Sequence, residues 1–256
     1  MFLMILLKKK LGQHFLKDNN IINKIIRYVN PLSSDSFIEI GPGDGALTLP
    51  LSKKIKVLKI IEKDKRLIPD LKKTFSNNGL IKIINEDILK YNFKKNVEPN
   101  TRLIGNLPYN ISTEVIFKII EAAENIKDSH FMLQKEVVSR MIAKAGTKEY
   151  GRLSIMTQVY FDIEKLFDVP PTVFYPQPKV MSSYVKLIPK SFCFKNKNHE
   201  KRFKEIVTTA FIGRRKMIKS SLKNSISEKD LLKLDINTNL RPGDLTVHNF
   251  LKISNI

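Results

Sequence analysis

The stretch Phe37-Ile38-Glu39-Ile40-Gly41-Pro42-Gly43-Asp44-Gly45 predicts a short buried strand that runs into a glycine-rich turn and then a helix. Gly41 and Gly43 would let the backbone approach a ligand closely, which is how nucleotide-binding turns use glycine. In a dehydrogenase a pyrophosphate lies against the positive end of the following helix, but Glu39 and Asp44 place negative charge there. The turn therefore favours a positively charged cofactor over an anionic one.

Alternating strand-like and helix-like segments surround this turn. Asp18 can cap a helix whose apolar residues, between positions 21 and 29, fall on one face. Strands are predicted at 37–40, 57–61, 81–84, 103–104 and 131–133. Short apolar strands that alternate with helices indicate a parallel sheet covered on both faces, so we expect an α/β, Rossmann-like, doubly wound fold. Two later strand candidates, 155–163 and 183–188, have no obvious long helix between them, which predicts an antiparallel hairpin at one edge.

The character of the chain changes after Pro189, where helical spacing replaces the strand pattern. We expect residues 1–188 to form the cofactor-binding domain and residues 189–256 a small helical domain, with Ser227 and Thr246 as helix caps. The densest run of positive charge lies in this second domain. It comprises Lys195, Lys197, Lys201, Arg202, Lys204, Arg214, Arg215, Lys216, Lys219 and Lys223.

Composition limits the possible functions. The 256 residues carry a formal net charge of +20, which favours a polyanionic partner, either nucleic acid or an acidic membrane. A single cysteine, Cys193, excludes an internal disulfide, and the four histidines show no metal-ligand spacing, so no metal is expected. The opening MFLMILLKKK has its charge after its apolar run, unlike a secretory signal, and no segment reaches membrane-spanning length. We expect a cytoplasmic, monomeric protein that does not contact a membrane.

Two carboxylates follow the next strands. Glu62 ends the strand at 57–61, about twenty residues past the glycines, where an acid commonly binds both ribose hydroxyls. Asp87 follows the strand at 81–84 and could accept a hydrogen bond from an adenine amino group. With the charge at the glycine turn, these positions predict S-adenosylmethionine, which carries a sulfonium and an ammonium group.

The segment Gly105-Asn106-Leu107-Pro108-Tyr109-Asn110-Ile111-Ser112 follows another strand end. An exocyclic amine of a nucleobase is a poor nucleophile because its lone pair is delocalised into the ring. The side-chain oxygen of Asn106 and the carbonyl of Leu107, which Pro108 restricts to extended conformations, could accept its hydrogens and free that lone pair. Tyr109 offers a face for stacking the base. The segment predicts amine methylation by positioning and electrostatics, without a strong base.

Six segments together resemble the adenine dimethyltransferases of small-subunit ribosomal RNA, the KsgA or RsmA family. They are Gly12-Gln13-His14-Phe15-Leu16, Glu39-Ile40-Gly41-Pro42-Gly43, residues 105–113, residues 131–137 (FMLQKEV), Tyr150-Gly151-Arg152-Leu153-Ser154 and Pro176-Gln177-Pro178-Lys179-Val180. The resemblance runs in order from about residue 11 to about residue 222. It implies dimethylation of N6 of two adjacent adenosines near the 3′ end of 16S ribosomal RNA, with a role in small-subunit biogenesis.

The resemblance also implies roles for individual residues. Residues implied to bind S-adenosylmethionine are His14, Leu16, Gly41, Gly43, Glu62, Asp87 and Asn106. Asn106, Leu107 and Tyr109 would hold the target amine, with Pro108 between them, and Phe174 would stack on the opposite face of the adenine. Arg214, Arg215 and Lys216 match a basic segment that meets RNA phosphates. The partner implied is small-subunit ribosomal RNA in the immature 30S particle.

Three alternatives remain at this point. The macrolide-resistance methyltransferases of large-subunit ribosomal RNA share the glycine turn and an Asn-x-Pro-Tyr segment, although residues 150–154 and 176–180 favour the small-subunit family. A ribosome assembly factor could keep the fold and act by binding alone, but it would not need Glu62, Asp87 and Asn106. A nucleotide-dependent oxidoreductase is opposed by Asp44 and by the segment after Gly105.

Overall fold

The computed structural model describes residues 12–76, 79–191 and 193–256. The opening segment MFLMILLKKK, and the start of the family resemblance at residue 11, lie outside the described residues. Two compact units divide the chain. The first unit comprises the residues up to Val138 together with Glu164–Pro189. The second comprises Ser139–Ile163 together with Lys190–Ile256.

The described residues form a mixed set of strands and helices. The strands are β1 (Phe15–Leu16), β2 (Ser36–Ile40), β3 (Val57–Glu62), β4 (Ile81–Asn85), β5 (Thr101–Asn106), β6 (Ile126–Gln134), β7 (Phe161–Val169), β8 (Phe174–Tyr175) and β9 (Ser182–Pro189). The α-helices are α1 (Asn19–Val29), α2 (Thr48–Ser52), α3 (Ile68–Thr74), α4 (Phe93–Asn96), α5 (Ser112–Ile120), α6 (Lys135–Met141), α7 (Arg152–Gln158), α8 (Lys197–Ile212), α9 (Ile218–Ser221), α10 (Glu228–Lys233) and α11 (Val247–Ile253).

The main sheet has seven strands in the order β4-β3-β2-β5-β6-β9-β7. The pairs β4–β3, β3–β2, β2–β5 and β5–β6 are parallel, and β6–β9 is antiparallel. This confirms the predicted α/β, Rossmann-like fold, because the five strands predicted before residue 134 are the parallel ones. Their carboxyl ends meet at one edge of the sheet, where open α/β sheets bind ligands.

Helix α1 begins where the sequence places its cap. The carboxylate of Asp18 accepts hydrogen bonds from the backbone N–H groups of Asn20 and Ile21, at 2.8 and 3.0 Å. The residues Ile22, Ile25, Ile26 and Val29 are buried, as the helical spacing predicts. Such a cap stabilises a helix by about 1 kcal/mol, so the burial of four apolar side chains contributes more to fixing α1.

The predicted strand at 155–163 is wrong over its first six residues. Residues 155–158 belong to helix α7, and strand β7 begins only at Phe161. All five residues from Leu153 to Thr157 are buried, so this helix has no solvent-exposed face within that run. A helix buried on all sides shows no 3.6-residue alternation of apolar and polar residues. Its apolar residues therefore gave the same pattern as a buried strand. The second candidate, 183–188, is confirmed as part of β9.

The second unit contains the helices α8, α9, α10 and α11. Asn196, Ser227 and Thr246 cap α8, α10 and α11 through their side chains, which confirms the two caps predicted from sequence. This unit also includes Ser139–Ile163, although the sequence pattern places residues up to 188 in the first domain. Hydrogen bonds from Gly146 N–H to the Gly243 carbonyl and from Tyr160 to Glu200 connect the two parts of the unit. Those contacts are long-range in sequence, so the segment alone did not reveal them.

A buried charge network lies at the amino end of β5. The Arg102 guanidinium donates to Asp128, to Asp35 and to the carbonyl oxygen of Val29, each at 2.7 Å. Its central carbon lies 4.8 Å from the centre of the Phe37 ring. Although burial alone would raise it, the pKa of Asp128 is lowered by the His130 ring, whose Nε2 lies 3.3 Å from the carboxylate, and by hydrogen bonds from Arg102. This network joins α1, β5 and β6 at the end of the sheet opposite the ligand edge.

Within the part of the chain that the structure describes, no helix is both long and apolar enough to span a bilayer.

Candidate active site

A pocket of about 1050 Å³, open to solvent, lies at the carboxyl ends of β2, β3 and β5. It is lined by residues 12–16, residues 39–44, Ala46, Leu47, residues 61–63, Glu86, Ile88 and residues 106–111. These segments are distant in sequence. Apart from residues 12–16, they meet because parallel strands bring their carboxyl ends to the same edge.

The glycine turn closes tightly under the amino-terminal segment. Gly43 has a φ of 60°, and a Cβ at this position would lie 2.7 Å from the ring of Phe15. Both the left-handed conformation and the close approach therefore require glycine here. The N–H of Gly43 donates to Glu62 at 3.3 Å, so the turn is also joined to the end of β3.

Glu62 faces the pocket with its carboxylate fixed by the backbone. Its second oxygen accepts the N–H of Asp64 at 2.8 Å. Burial raises the pKa of Glu62, and the N–H groups of Asp64 and Gly43 oppose that rise. A carboxylate held in this way presents oriented acceptors, which suits vicinal hydroxyl groups of a ribose.

Glu39 is buried within β2, and its charge differs from the charge expected from the sequence. Burial, followed by the nearby Glu62 carboxylate, raises the pKa of Glu39 to about 8, although the Thr48 hydroxyl donates to it at 2.6 Å. The carboxyl is therefore mostly protonated at neutral pH. Most of the negative charge expected at Glu39 from the sequence is therefore absent, while Asp44 lies beside the turn in an ion pair with Lys17.

The raised pKa of Glu39 predicts a pH-dependent loss of stability. The pKa of the Glu39 carboxyl is about 4.5 in the unfolded chain and about 8 in the folded protein. The contribution of Glu39 is thus fully present below pH 4.5 and is lost as pH rises through 8. Between these values the free energy of unfolding should fall by roughly 1.4 kcal/mol per pH unit.

Glu39→Gln should flatten this dependence, because glutamine keeps an acceptor for Thr48 but does not ionise. Denaturant unfolding at about pH 6 and about pH 9 measures the difference in slope. Glu124→Gln, at an exposed position, is the matched control. Equal pH slopes for wild type and Glu39→Gln would contradict the prediction.

Two buried acceptor atoms in the pocket have no hydrogen-bond partner among the described residues. They are Oδ1 of Asp44 and Oε1 of Gln13. The Gln13 amide nitrogen donates to Asp64 at 3.3 Å, which leaves its oxygen as the unpaired atom. Buried acceptors without donors are unfavourable, so the pocket is complementary to a ligand that donates hydrogen bonds or carries positive charge.

The amino-terminal segment crosses the pocket and is attached at several points. Strand β1 pairs antiparallel with β8, with Leu16 opposite Phe174. The Nδ1–H of His14 donates to the carbonyl oxygen of Pro176 at 2.6 Å. The side-chain nitrogen of Asn106 donates to the carbonyl of His14, also at 2.6 Å. His14 and Leu16 therefore lie over the same pocket as the glycine turn.

Asn106, Leu107, Pro108 and Tyr109 line the pocket at the end of β5. Because the Asn106 nitrogen is used by His14, its oxygen is left as the acceptor that can meet a ligand. Gly105 lets this strand end approach β2, since a Cβ there would lie 2.5 Å from the backbone oxygen of Ile40. The Tyr109 ring is half-buried and its hydroxyl contacts the hydroxyl of Ser182.

Two predicted site residues are not placed in the pocket. Asp87 forms an ion pair with Lys63 at 2.7 Å, and its neighbours Glu86 and Ile88 line the pocket instead. Phe174 is 4% exposed and packs in the apolar core opposite Leu16. Recognition of adenine by Asp87 and stacking by Phe174 remain predictions from the family resemblance.

The predicted phosphate-binding residues lie in the second unit. Arg214 donates to the carbonyl oxygens of Lys148 and Tyr150, the latter at 3.1 Å. Its guanidinium therefore already supports the loop before α7. Arg215 and Lys216 are exposed, which leaves them better placed than Arg214 to meet phosphates.

Sequence reasoning missed Gln13, Gly105 and Ser182 as site residues. Gln13 and Gly105 stand inside segments that the resemblance quoted, so their positions next to His14 and Asn106 were the available signal. No sequence signal pointed to Ser182, because a serine at the start of a strand is common and only the fold brings it to Tyr109.

Comparisons with known proteins show the family to which the chain belongs. The family model described as "Ribosomal RNA adenine dimethylase" matches residues 4–256. Two relatives carry the name "Ribosomal RNA small subunit methyltransferase A". The one from Nitrosospira multiformis is 41% identical over 248 residues, 97% of this chain and 95% of the relative. The one from Buchnera aphidicola is 44% identical over 250 residues, 96% of this chain and 95% of the relative.

Two solved structures share the architecture. A dimethyladenosine transferase from Plasmodium falciparum has a TM-score of 0.80 and 30% identity, covering 94% of this chain and 96% of the other. The 23S rRNA methyltransferase ErmE has a TM-score of 0.72 and 24% identity, covering 94% and 98%. At that identity the second likeness shows the fold alone.

Proposed function

The chain belongs to the ribosomal RNA adenine dimethylase family, and from this membership we propose that it transfers methyl groups to N6 of two adjacent adenosines near the 3′ end of small-subunit ribosomal RNA. The observation that carries the proposal is the orientation of Asn106. Its nitrogen is fixed by the His14 carbonyl, so its oxygen is left to accept a hydrogen from the target amine. The name shared by the curated relatives supports the small subunit as substrate.

We propose S-adenosylmethionine as the methyl donor, and the pocket fits it by its chemistry. The unpaired acceptor atoms of Asp44 and Gln13 would meet the ammonium group. The oriented carboxylate of Glu62 would meet the ribose hydroxyls. His14 and Leu16 would cover the ligand, and Gly41 and Gly43 would let the backbone approach it. The cofactor supplies an electrophilic methyl group when bound.

The chain's own residues make the adenine amine reactive. The oxygen of Asn106 and the carbonyl oxygen of Leu107 would each accept one hydrogen of the amine. Among the described residues, no hydrogen bond to the Leu107 carbonyl competes for it. Two acceptors draw the nitrogen toward tetrahedral geometry and localise its lone pair, and Tyr109 would hold the base plane by stacking. The methylated nitrogen is acidic, so its proton leaves to solvent without a strong base.

Binding of RNA would come mainly from phosphate contacts. A formal charge of +20 and the exposed Arg215 and Lys216 support this. Target adenines must lie outside a stacked helix, which loops of ribosomal RNA provide. We propose the immature 30S subunit as the partner and the cytoplasm as the location, in keeping with the assembly of ribosomes there.

The test is methyl transfer from labelled S-adenosylmethionine to immature small subunits, with large subunits as the matched control. We expect N6,N6-dimethyladenosine only in the small-subunit RNA, detected by mass analysis of its nucleosides. Label in the large subunit would favour a resistance-type enzyme. Tight binding to small subunits without any label would favour an assembly factor without catalysis, and either outcome would overturn the proposal.

A further inference from the structure

Ser182 lies at the start of strand β9 and is completely buried. Its neighbour across the sheet is Gln134, the last residue of β6. Strand β6 in turn pairs with β5, whose last residue is Asn106. The backbone of Ser182 is therefore fixed to the same sheet that carries the amine acceptor.

The hydroxyl of Ser182 shares a hydrogen bond with the hydroxyl of Tyr109. Burial raises the pKa of Tyr109, so its hydroxyl stays protonated over the physiological range. The centre of the His14 ring lies 5.3 Å from the centre of the Tyr109 ring. His14 is itself held by the Pro176 carbonyl. Tyr109 is thus held at its hydroxyl by Ser182 and beside its ring by His14.

We propose that Ser182 is a positioning residue, which fixes the orientation of the Tyr109 ring and through it the plane of the target adenine. This rests on the proposed function, in which Tyr109 stacks on the base. Rotation of the ring would move the stacked base and displace its amine from the Asn106 and Leu107 oxygens. The second methyl transfer should be more sensitive than the first, because the monomethylated amine has only one hydrogen left for these acceptors.

The test compares Ser182→Ala with Ser183→Ala. Ser183 is the next residue of β9, is equally buried, and donates its hydroxyl to Asp168 at 2.6 Å. Both variants lose one buried hydroxyl from the same strand, so unfolding measurements should give them similar stability. Only Ser182→Ala should lower kcat for small-subunit RNA, by about tenfold, with an increased share of monomethylated adenosine. The Kd for S-adenosylmethionine should not change.

A double-mutant cycle with Tyr109→Phe provides the second measurement. The phenylalanine keeps the ring and loses the same hydrogen bond, so Ser182→Ala should have no further effect in its presence. Equal kcat values for Ser182→Ala and Ser183→Ala, or losses that multiply to about a hundredfold in the double variant, would overturn the inference alone. A wild-type protein that leaves small-subunit RNA unmethylated would overturn the proposed function, and this inference with it.

Discussion

Asn106→Ala should lower kcat for adenine methylation by about 10³-fold, the size of loss seen when an oriented hydrogen-bonding group is removed from a reaction centre. Alanine removes the oxygen that would accept a hydrogen of the amine. It also removes the bond to the His14 carbonyl, so the segment over the pocket loses one attachment. The affinity for S-adenosylmethionine should fall much less than kcat, by about tenfold.

Single-turnover methylation of immature small subunits measures the first quantity, and cofactor titration measures the second. Asn125→Ala is the matched control, because Asn125 also donates its side-chain nitrogen to one backbone carbonyl, that of Val97 at 3.0 Å. It should reduce stability to a similar extent and leave kcat unchanged. An Asn106→Ala protein that keeps wild-type kcat would show that the amine is activated by other groups.

Arg102→Ala should lower the free energy of unfolding by about 3–5 kcal/mol, because it leaves two buried carboxylates without their cation. Asp35 and Asp128 are each within 2.7 Å of the guanidinium. Lys127, at 3.0 Å from Asp35, remains as a partially exposed partner, which places the expected loss toward the lower end of that range. Denaturant unfolding at neutral pH measures it.

Lys118→Ala is the comparison for the loss of an ion pair at the surface. Lys118 contacts Glu121 at 3.3 Å in a partly exposed pair, and such pairs are worth about 0–1 kcal/mol. A loss for Arg102→Ala no larger than that for Lys118→Ala would show that the buried network contributes little to stability. Acidification should mimic Arg102→Ala in the wild type. The lowered pKa values of Asp35 and Asp128 give stability that is present above the unfolded pKa near 3.8 and is lost as pH falls further.

The sequence predicted the fold because its signals are local. Strands β2 to β6 are short apolar segments separated by helical patterns, and that alternation admits few arrangements other than a parallel sheet. The same rule predicted that Gly43, Glu62 and Asn106 would meet, because each follows or ends a parallel strand. The exception was α7, where burial on every side removed the periodicity by which a helix is recognised.

The positions of individual side chains were less predictable than their strands. A residue at the carboxyl end of a strand lies at the ligand edge of the sheet. The direction of its side chain, however, depends on which neighbouring groups it contacts. Asp87 pairs with Lys63, and Phe174 packs against the apolar core. The charge of Glu39 was also misjudged, because the pKa depends on burial that the sequence does not give.

By itself, then, the sequence determined the fold, the family resemblance, and most of the residues around the pocket, since periodicity and strand-end positions are properties of neighbouring residues. Only the tertiary structure decided which oxygen of the site is free and which ring is fixed. The Asn106 oxygen is available because a carbonyl 92 positions earlier accepts from its nitrogen, and Tyr109 is held by a serine 73 positions later. Contacts between residues so far apart in the chain exist only after the sheet has formed.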